Sequence, residues 1–230
     1  MSFSWMLKRN LIKQPLEGEV VLLNEYMESN YPNLELKPPL FYNWDIGIRF
    51  QLGVELSEAS TNDDPAYIQG VYNRAITLFE CLHSHTDNMF VVVDVNDYGD
   101  GKPLKPKLRN FSPYVKEKSV LYKVRHQSIL QDHDEDERFK THRFTLMCKT
   151  PDFKHKQMLK AICNQDMGIK PKIEHRVYFI NLNKKTIFHV YDDRGCDVLA
   201  ASPETIGELY KRYYDWILGY DRERIDKVFK

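Results

Sequence analysis

What the chain lacks narrows its identity first. It contains no Gly-rich loop closing in Gly-Lys-Ser or Gly-Lys-Thr, no Gly-x-Gly-x-x-Gly and no His-Glu-x-x-His. Each is the compact signature of a chemistry, respectively a phosphate cradle, a dinucleotide turn and a zinc helix, so none of the three is indicated. The four cysteines, Cys81, Cys148, Cys163 and Cys196, form no Cys-x-x-Cys pair and stand in apolar contexts. They are expected to be buried reduced thiols, which places the protein in the cytoplasm. No stretch approaches the run of about 18 apolar residues that a membrane span needs. Lys8 and Arg9 follow a short apolar run instead of preceding a long one, so neither a signal peptide nor a membrane partner is expected. Ten Gly and 11 Pro in 230 residues are too few for a low-complexity or collagen-like chain. An excess of either charge is also missing: 33 Lys and Arg stand against 33 Asp and Glu, which excludes a globally basic nucleic-acid binder and an acidic solvating tail.

What is present is enough for a core. Hydrophobic residues are 42% and aromatics 13%, and a chain of this length buries roughly 70% of its unfolded surface. Residues 20–31 carry Val21, Leu22, Leu23, Tyr26 and Met27 as a helical stripe closed by Tyr31-Pro32. Beyond Lys37-Pro38-Pro39, the segment Trp44 to Val54 alternates Ile46, Ile48, Phe50, Leu52 and Val54 with polar residues, as a strand with one buried face does. Asp64-Pro65 opens a helix: Asp accepts free first-turn amides, and Pro at the first position loses nothing. Ile68 to Leu82 then repeats apolar residues every three or four positions. Met89 to Val95 is a continuous β-branched run and predicts a strand covered on both faces.

Further along, 120–125 and 143–149 read as strands, and Thr150-Pro151 as the start of a short helix through Phe153, Met158, Leu159 and Ile162. His175 to Leu182 and Thr186 to Tyr191 read as a hairpin turning at Asn183-Lys184. Ser202-Pro203-Glu204 opens a long C-terminal amphipathic helix with Ile206, Leu209, Tyr210, Tyr213, Trp216 and Ile217 on its stripe, Gly219 as its stop and Asp221 capping a last turn. The expected fold is α+β over residues 1–230: one domain with a mostly antiparallel sheet and helices packed on it.

Chemistry is confined to a few places. Gly99-Asp-Gly101-Lys102 is followed by prolines and reads as a turn, not a phosphate loop. His83, His85 and Asp87 sit at a helix end, where i and i+2 side chains diverge by roughly 200°. They meet at one ion only if the helix has already stopped, so neither a metal nor any other cofactor is expected. Residues 101–125 carry eight basic residues, Lys102, Lys105, Lys107, Arg109, Lys116, Lys118, Lys123 and Arg125, against Glu117 alone, with Phe111, Tyr114 and Tyr122 interleaved. This strip is the one candidate surface for phosphates or an acidic partner, and the acids of Asp132 to Glu137 follow closely enough to screen it. The segment His189-Val-Tyr191-Asp192-Asp193-Arg194-Gly195-Cys-Asp197 puts carboxylates and an Arg at a strand end. It reads either as a catalytic corner or as turn chemistry, with Asp accepting backbone hydrogens and Gly taking positive φ. Asp192 and Asp193 serve one ligand only if the chain has left the strand before them.

Three strings together, Arg176-Val-Tyr-Phe-Ile, then Tyr191-Asp-Asp-Arg-Gly195-Cys-Asp-Val, then Leu209-Tyr with Trp216-Ile-Leu and Tyr220-Asp-Arg222, make the chain resemble the bacterial family called domain of unknown function 3885. The resemblance is specific over Gln157 to Phe229 and looser over Phe41 to Val95. It implies a soluble intracellular bacterial protein and carries no activity. Two readings follow. One is a noncatalytic interaction protein, of immunity or regulatory type, whose partner is another protein met through Tyr191, Tyr214, Trp216, Tyr220 and Arg222. The other is a hydrolase or nuclease-like enzyme built on Asp192, Asp193, Arg194 and Asp197 with His189. The absence of catalytic motifs favours the first.

Overall fold

The computed structural model describes residues 22–53, 65–97, 110–130 and 140–230. Its strands are β1 (Gly47–Gln51), β2 (Asn88–Asp97), β3 (Arg125–Leu130), β4 (Lys140–Lys149), β5 (Arg176–Asn181), β6 (Thr186–Val190) and β7 (Gly195–Ala200). All pair antiparallel in one sheet of order β1-β7-β6-β5-β2-β4-β3. The helices are α1 (Leu23–Asn30), α2 (Pro65–Leu82), α3 (His155–Cys163), α4 (Pro203–Arg212) and α5 (Arg222–Phe229). The fold is therefore α+β, an antiparallel sheet with packed helices.

The β-branched run explains the layering. β2 lies inside the sheet between β5 and β4, and its alternate side chains enter two different cores. Met89, Val91 and Val93 join the larger core, with α2, α3, α4 and Ile225 of α5. Phe90 and Val92 join the smaller one, with Leu23, Tyr26 and Met27 of α1 and the chain from Tyr31 to Leu40. A strand buried on both faces needs no polar alternation, and each such side chain contributes about 1.5–3 kcal/mol on burial. The α1 layer is also tied to the sheet through hydroxyl and indole groups: Tyr26 donates to the Asn181 carbonyl at 3.1 Å, Tyr31 to the Lys185 carbonyl at 2.6 Å and Trp44 to the Ala200 carbonyl at 2.8 Å.

Several expectations are corrected. The segment 120–125 is not a strand: Lys118–Lys123 is a 3₁₀ turn and β3 follows it. Val120 and Leu121 are neighbours and both buried, which a strand with one buried face does not permit. The long C-terminal helix is also absent. α4 ends at Arg212, two 3₁₀ turns follow over Tyr214–Trp216 and Gly219–Asp221, and α5 is a separate short helix. The edge of β1 competes for this stretch: Ile217 bridges Phe50, and the Leu218 amide donates to the Arg49 carbonyl at 3.0 Å. β7 is a strand that the Asp-Arg-Gly turn reading did not continue into. Ser202 stands at the start of α4, but its hydroxyl pairs with that of Thr205 instead of capping an amide. Cys81 is exposed, while Cys148, Cys163 and Cys196 are buried. Residues Lys102 to Arg109, Asp132 to Glu137, Gly99 to Gly101, Val21, Val54 and Asp64 lie outside the described residues.

His83 and Asp87 have structural duties. The His83 ring stacks on Phe79 at 3.9 Å, and its Nδ1 meets the Phe79 carbonyl at 3.0 Å. Asp87 accepts the Ser84 amide at 2.8 Å and the Asn181 side-chain amide at 2.7 Å. Asn181 also donates to the Leu82 carbonyl at 2.9 Å and accepts the amides of Asn183 and Lys184, both at 2.9 Å. One buried amide thus joins the end of α2 to the β5–β6 hairpin.

Candidate functional site

Strand register lines up a polar row on the face that α1 partly covers. Arg49 of β1 lies opposite Asp197 of β7, and Asp197 opposite His189 of β6. The His189 ring then stacks on Tyr178 of β5 at 4.4 Å. Asp197 is 2% exposed, and a carboxylate so buried needs a cation and hydrogen bonds. Arg49 Nε donates to it at 2.9 Å, and the Phe41 amide at 3.2 Å. Burial opposes the charge of Arg49, but the hydrogen bond and charge of Asp197 outweigh it and hold the guanidinium above its ordinary pKa. The rings of Tyr42, Phe41 and Tyr191 surround that guanidinium at 4.7, 5.2 and 5.8 Å, within cation–π range.

The second signature arrives at the same group. Asp221 lies 3.5 Å from Arg49 Nη1 and accepts the Tyr42 hydroxyl at 2.8 Å. The strings Tyr191 to Asp197 and Trp216 to Arg222 therefore share one explanation, the clamp around Arg49. Elsewhere in the C-terminal string, Tyr214 and Trp216 are half-buried. Trp216 stacks on Tyr213 at 4.5 Å, and Tyr214 donates to Asp226 at 3.1 Å. Arg222 donates to the Ile217 carbonyl at 3.0 Å and lies over the Tyr214 ring. Tyr220 is 87% exposed.

The acidic pair diverges. Asp192 accepts the Arg194 amide at 2.8 Å and Arg194 Nε at 2.9 Å, forming the turn. Asp193 points to the opposite side, into the α2 layer, where it accepts the Tyr67 hydroxyl at 2.7 Å. Gly195 is not at positive φ. It is there for space: a Cβ would lie 2.5 Å from the Tyr191 hydroxyl and 2.9 Å from the Phe50 carbonyl. Of the five residues in the catalytic reading, His189, Asp192 and Arg194 border one cleft of about 560 Å³, which Tyr191 also lines, while Asp193 and Asp197 do not. Burial lowers the pKa of His189, and its Nδ1 meets the Val177 carbonyl at 2.8 Å. A carbonyl can only accept, so Nδ1 carries the proton of the neutral ring.

The basic strip divides by burial. Phe111 and Tyr114 belong to the core, whereas Tyr122 is 91% exposed. Lys116, Lys118, Lys123 and Arg125 are exposed and have no carboxylate partner among the described residues. Lys123 and Arg125 line a groove of about 710 Å³, together with the apolar Leu22, Leu23, Phe90 and Met147, the Tyr122 ring and one carboxylate, Asp152.

A family model described as Domain of unknown function (DUF3885) matches residues 23–221. The chain belongs to this family. The match extends well beyond the Gln157–Phe229 signature, taking in α1 and β1, and so includes Tyr42 and Arg49, the clamp residues that precede the recognised strings. The chain is also 31% identical over 205 residues to the uncharacterized protein YnaE of Bacillus subtilis (strain 168), covering 85% of this chain and 96% of that one. No solved structure matches. Neither family nor relative assigns an activity. Among the described residues no helix is long and apolar enough to cross a membrane. Sequence reasoning missed Arg49, Tyr42 and Tyr67. The usable signal was the charge of Arg49 on the polar face of β1, within a short reach of the Phe41-Tyr42 pair.

Proposed function

We propose that the protein is a noncatalytic protein-interaction module that acts by contact, as an immunity or regulatory protein does, on an acidic segment of another protein. The observation that carries this reading is the groove beside Tyr122. An apolar wall, a fully presented aromatic ring and cations without a carboxylate partner among the described residues are what an acidic segment with apolar anchors requires. The carboxylates of the Tyr191–Asp197 string support the same reading, since each already holds the chain: Asp192 on Arg194, Asp193 on Tyr67 and Asp197 on Arg49. Tyr220, with Arg222 and Arg224 beside it, forms a smaller aromatic and basic patch that serves as a second contact.

The test is a photo-crosslinking residue placed at position 122 in cells, with position 211 on α4 as control. One discrete protein adduct is expected at 122, lost in the K123E/R125E variant and absent at 211. No adduct at 122, or the same adducts at 211, overturns the reading.

A further inference from the structure

The two edges of the sheet differ. β1 is closed on its outer side by the C-terminal stretch, where Ile217 bridges Phe50 and the Leu218 amide donates to the Arg49 carbonyl. β3 ends the sheet on the other side, and no described strand other than β4 pairs with it. Its register against β4 runs unbroken from Arg125 to Leu130, without a bulge or a Pro. Arg125 to Ser128 are exposed along it. Register also places its side chains. Arg125, Gln127 and Ile129 share a face with Thr145, Arg143 and Thr141 of β4, and through Thr145 with Val92 of the smaller core. The Tyr122 groove lies on this face and continues along it: Leu23, Asn24 and Gln127 line both that groove and a second depression of about 630 Å³ that reaches Ile129, Met27 and Leu34. At the first end Lys123, Arg125 and Lys149 outnumber Asp152. At the second, Glu35 is paired with Lys37 and Asp94 with Arg143, and Arg176 faces Asp94 from β5. The trough is thus cationic at the start of β3 and offers apolar contact towards its end.

We propose that the acidic segment of the partner binds as an added strand, antiparallel to the outer side of β3, with acidic side chains beside Lys123 and Arg125 and apolar ones beside Ile129. The proposal rests on the groove reading above and specifies the form of the partner: an extended segment, acidic in its C-terminal half and apolar in its N-terminal half. A strand at a sheet edge offers a row of main-chain donors and acceptors, which give affinity, while every second side chain of the added strand falls on the groove face and gives selection. The antiparallel direction matches every other pairing in this sheet. β3 has six residues, so it spans about 20 Å and accommodates a segment of similar length.

The probe is the capped octapeptide Val-Thr-Val-Thr-Glu-Thr-Glu-Thr, titrated by calorimetry, together with its reversed sequence and two N-methylated forms, each blocking one alternate set of amides. Saturable binding of the parent is expected, with weaker binding of the reversed sequence. In an added antiparallel strand one alternate set of amides faces β3 and the other faces away. One methylated form is therefore expected to lose about tenfold or more in affinity, while the other is expected to retain most of it. Unchanged affinity of both methylated forms overturns strand addition and leaves the groove reading, with its adduct at position 122, standing. Absence of saturable binding by the parent overturns the proposal, as does equal binding of the reversed sequence. K123E/R125E, checked for folding by thermal unfolding, is expected to weaken the parent, and unchanged affinity there counts against the charge match on which both readings depend. Sedimentation of the protein alone is expected to show a monomer; a dimer that the peptide dissociates assigns the edge to a second copy and overturns the proposal.

Discussion

Asp197 and Asp221, from two separate stretches of the family signature, lie against the same guanidinium: Arg49 is 2.9 Å from the first and 3.5 Å from the second. The pair turns a strand edge into a closed corner. Arg49 leaves β1, Asp197 comes from the neighbouring β7, and Asp221 from the turn whose backbone also covers that edge through Leu218. Removing the guanidinium leaves Asp197 buried without its cation, and breaking one side of a buried pair costs about 3–5 kcal/mol. Arg49→Ala is expected to lose that much in urea unfolding. Asp197→Asn, which keeps an acceptor for the Phe41 amide, is expected to lose less. Equal stability of R49A and wild type would show that the clamp contributes nothing.

Gly195→Ala tests the close approach of Tyr191 to β7. The added methyl meets the Tyr191 hydroxyl and the Phe50 carbonyl, and overpacking of this kind costs about 1–3 kcal/mol. Tyr191→Phe removes one of the two clashing atoms, so the double variant G195A/Y191F is expected to be more stable than the sum of the single changes predicts. A double-mutant cycle reads this coupling directly. Additivity would mean that the tyrosine swings away freely.

Acid is expected to destabilise the fold before the carboxylates titrate. Burial lowers the pKa of His83 from 6.5 to about 4, and burial lowers those of His155 and His189 as well. A group depressed in the folded state favours folding above its unfolded pKa, because only the unfolded chain takes up the proton as pH falls. The stabilisation from His83 is therefore complete above about pH 6.5 and is lost as pH falls to about 4. A shift of that size corresponds to roughly 3 kcal/mol. Urea midpoints between pH 7.5 and 4.5 measure the slope. His83→Gln is expected to flatten it, and an unchanged slope in that variant counts against His83 as the source.

These three cases show which parts of the structure were legible in sequence. The run Met89 to Val95 and the periodic helix ending at Leu82 each follow from local pattern, because one rule, burial on both faces or on one stripe, decides every residue in them. The C-terminal segment obeyed a longer-range demand: the free edge of β1 drew Ile217 and Leu218 out of helical register. β7 was hidden because its buried Asp197 breaks the apolar pattern, and only Arg49, far away in sequence, makes that burial tolerable. Tyr122 and Tyr220 look like the core aromatics around them. Their exposure depends on turns that no periodicity marks.

Asn181 carries the last prediction. Its side chain is fully buried and makes four hydrogen bonds, Nδ2 donating to the Leu82 carbonyl and to Asp87 while Oδ1 accepts from the amides of Asn183 and Lys184; its backbone carbonyl accepts a fifth, from Tyr26. Asn181→Ala keeps the Tyr26 bond but removes the partners of the Leu82 carbonyl, Asp87 and the hairpin amides, at about 1–3 kcal/mol for each group left buried and unsatisfied. Asn181→Asp is nearly isosteric and keeps the Oδ1 acceptor, yet it places a second carboxylate oxygen against the Leu82 carbonyl and against Asp87, where Nδ2 sat 2.7 Å from Oδ2. Repulsion at that separation in a buried site outweighs the preserved bonds. N181D is therefore expected to be less stable than N181A at pH 7 and to recover part of the difference as the pH is lowered enough to protonate the new pair. Urea unfolding of both variants at two pH values decides it: an N181D as stable as wild type at pH 7 would mean that the amide does not join α2 to the hairpin in the way its hydrogen bonds indicate.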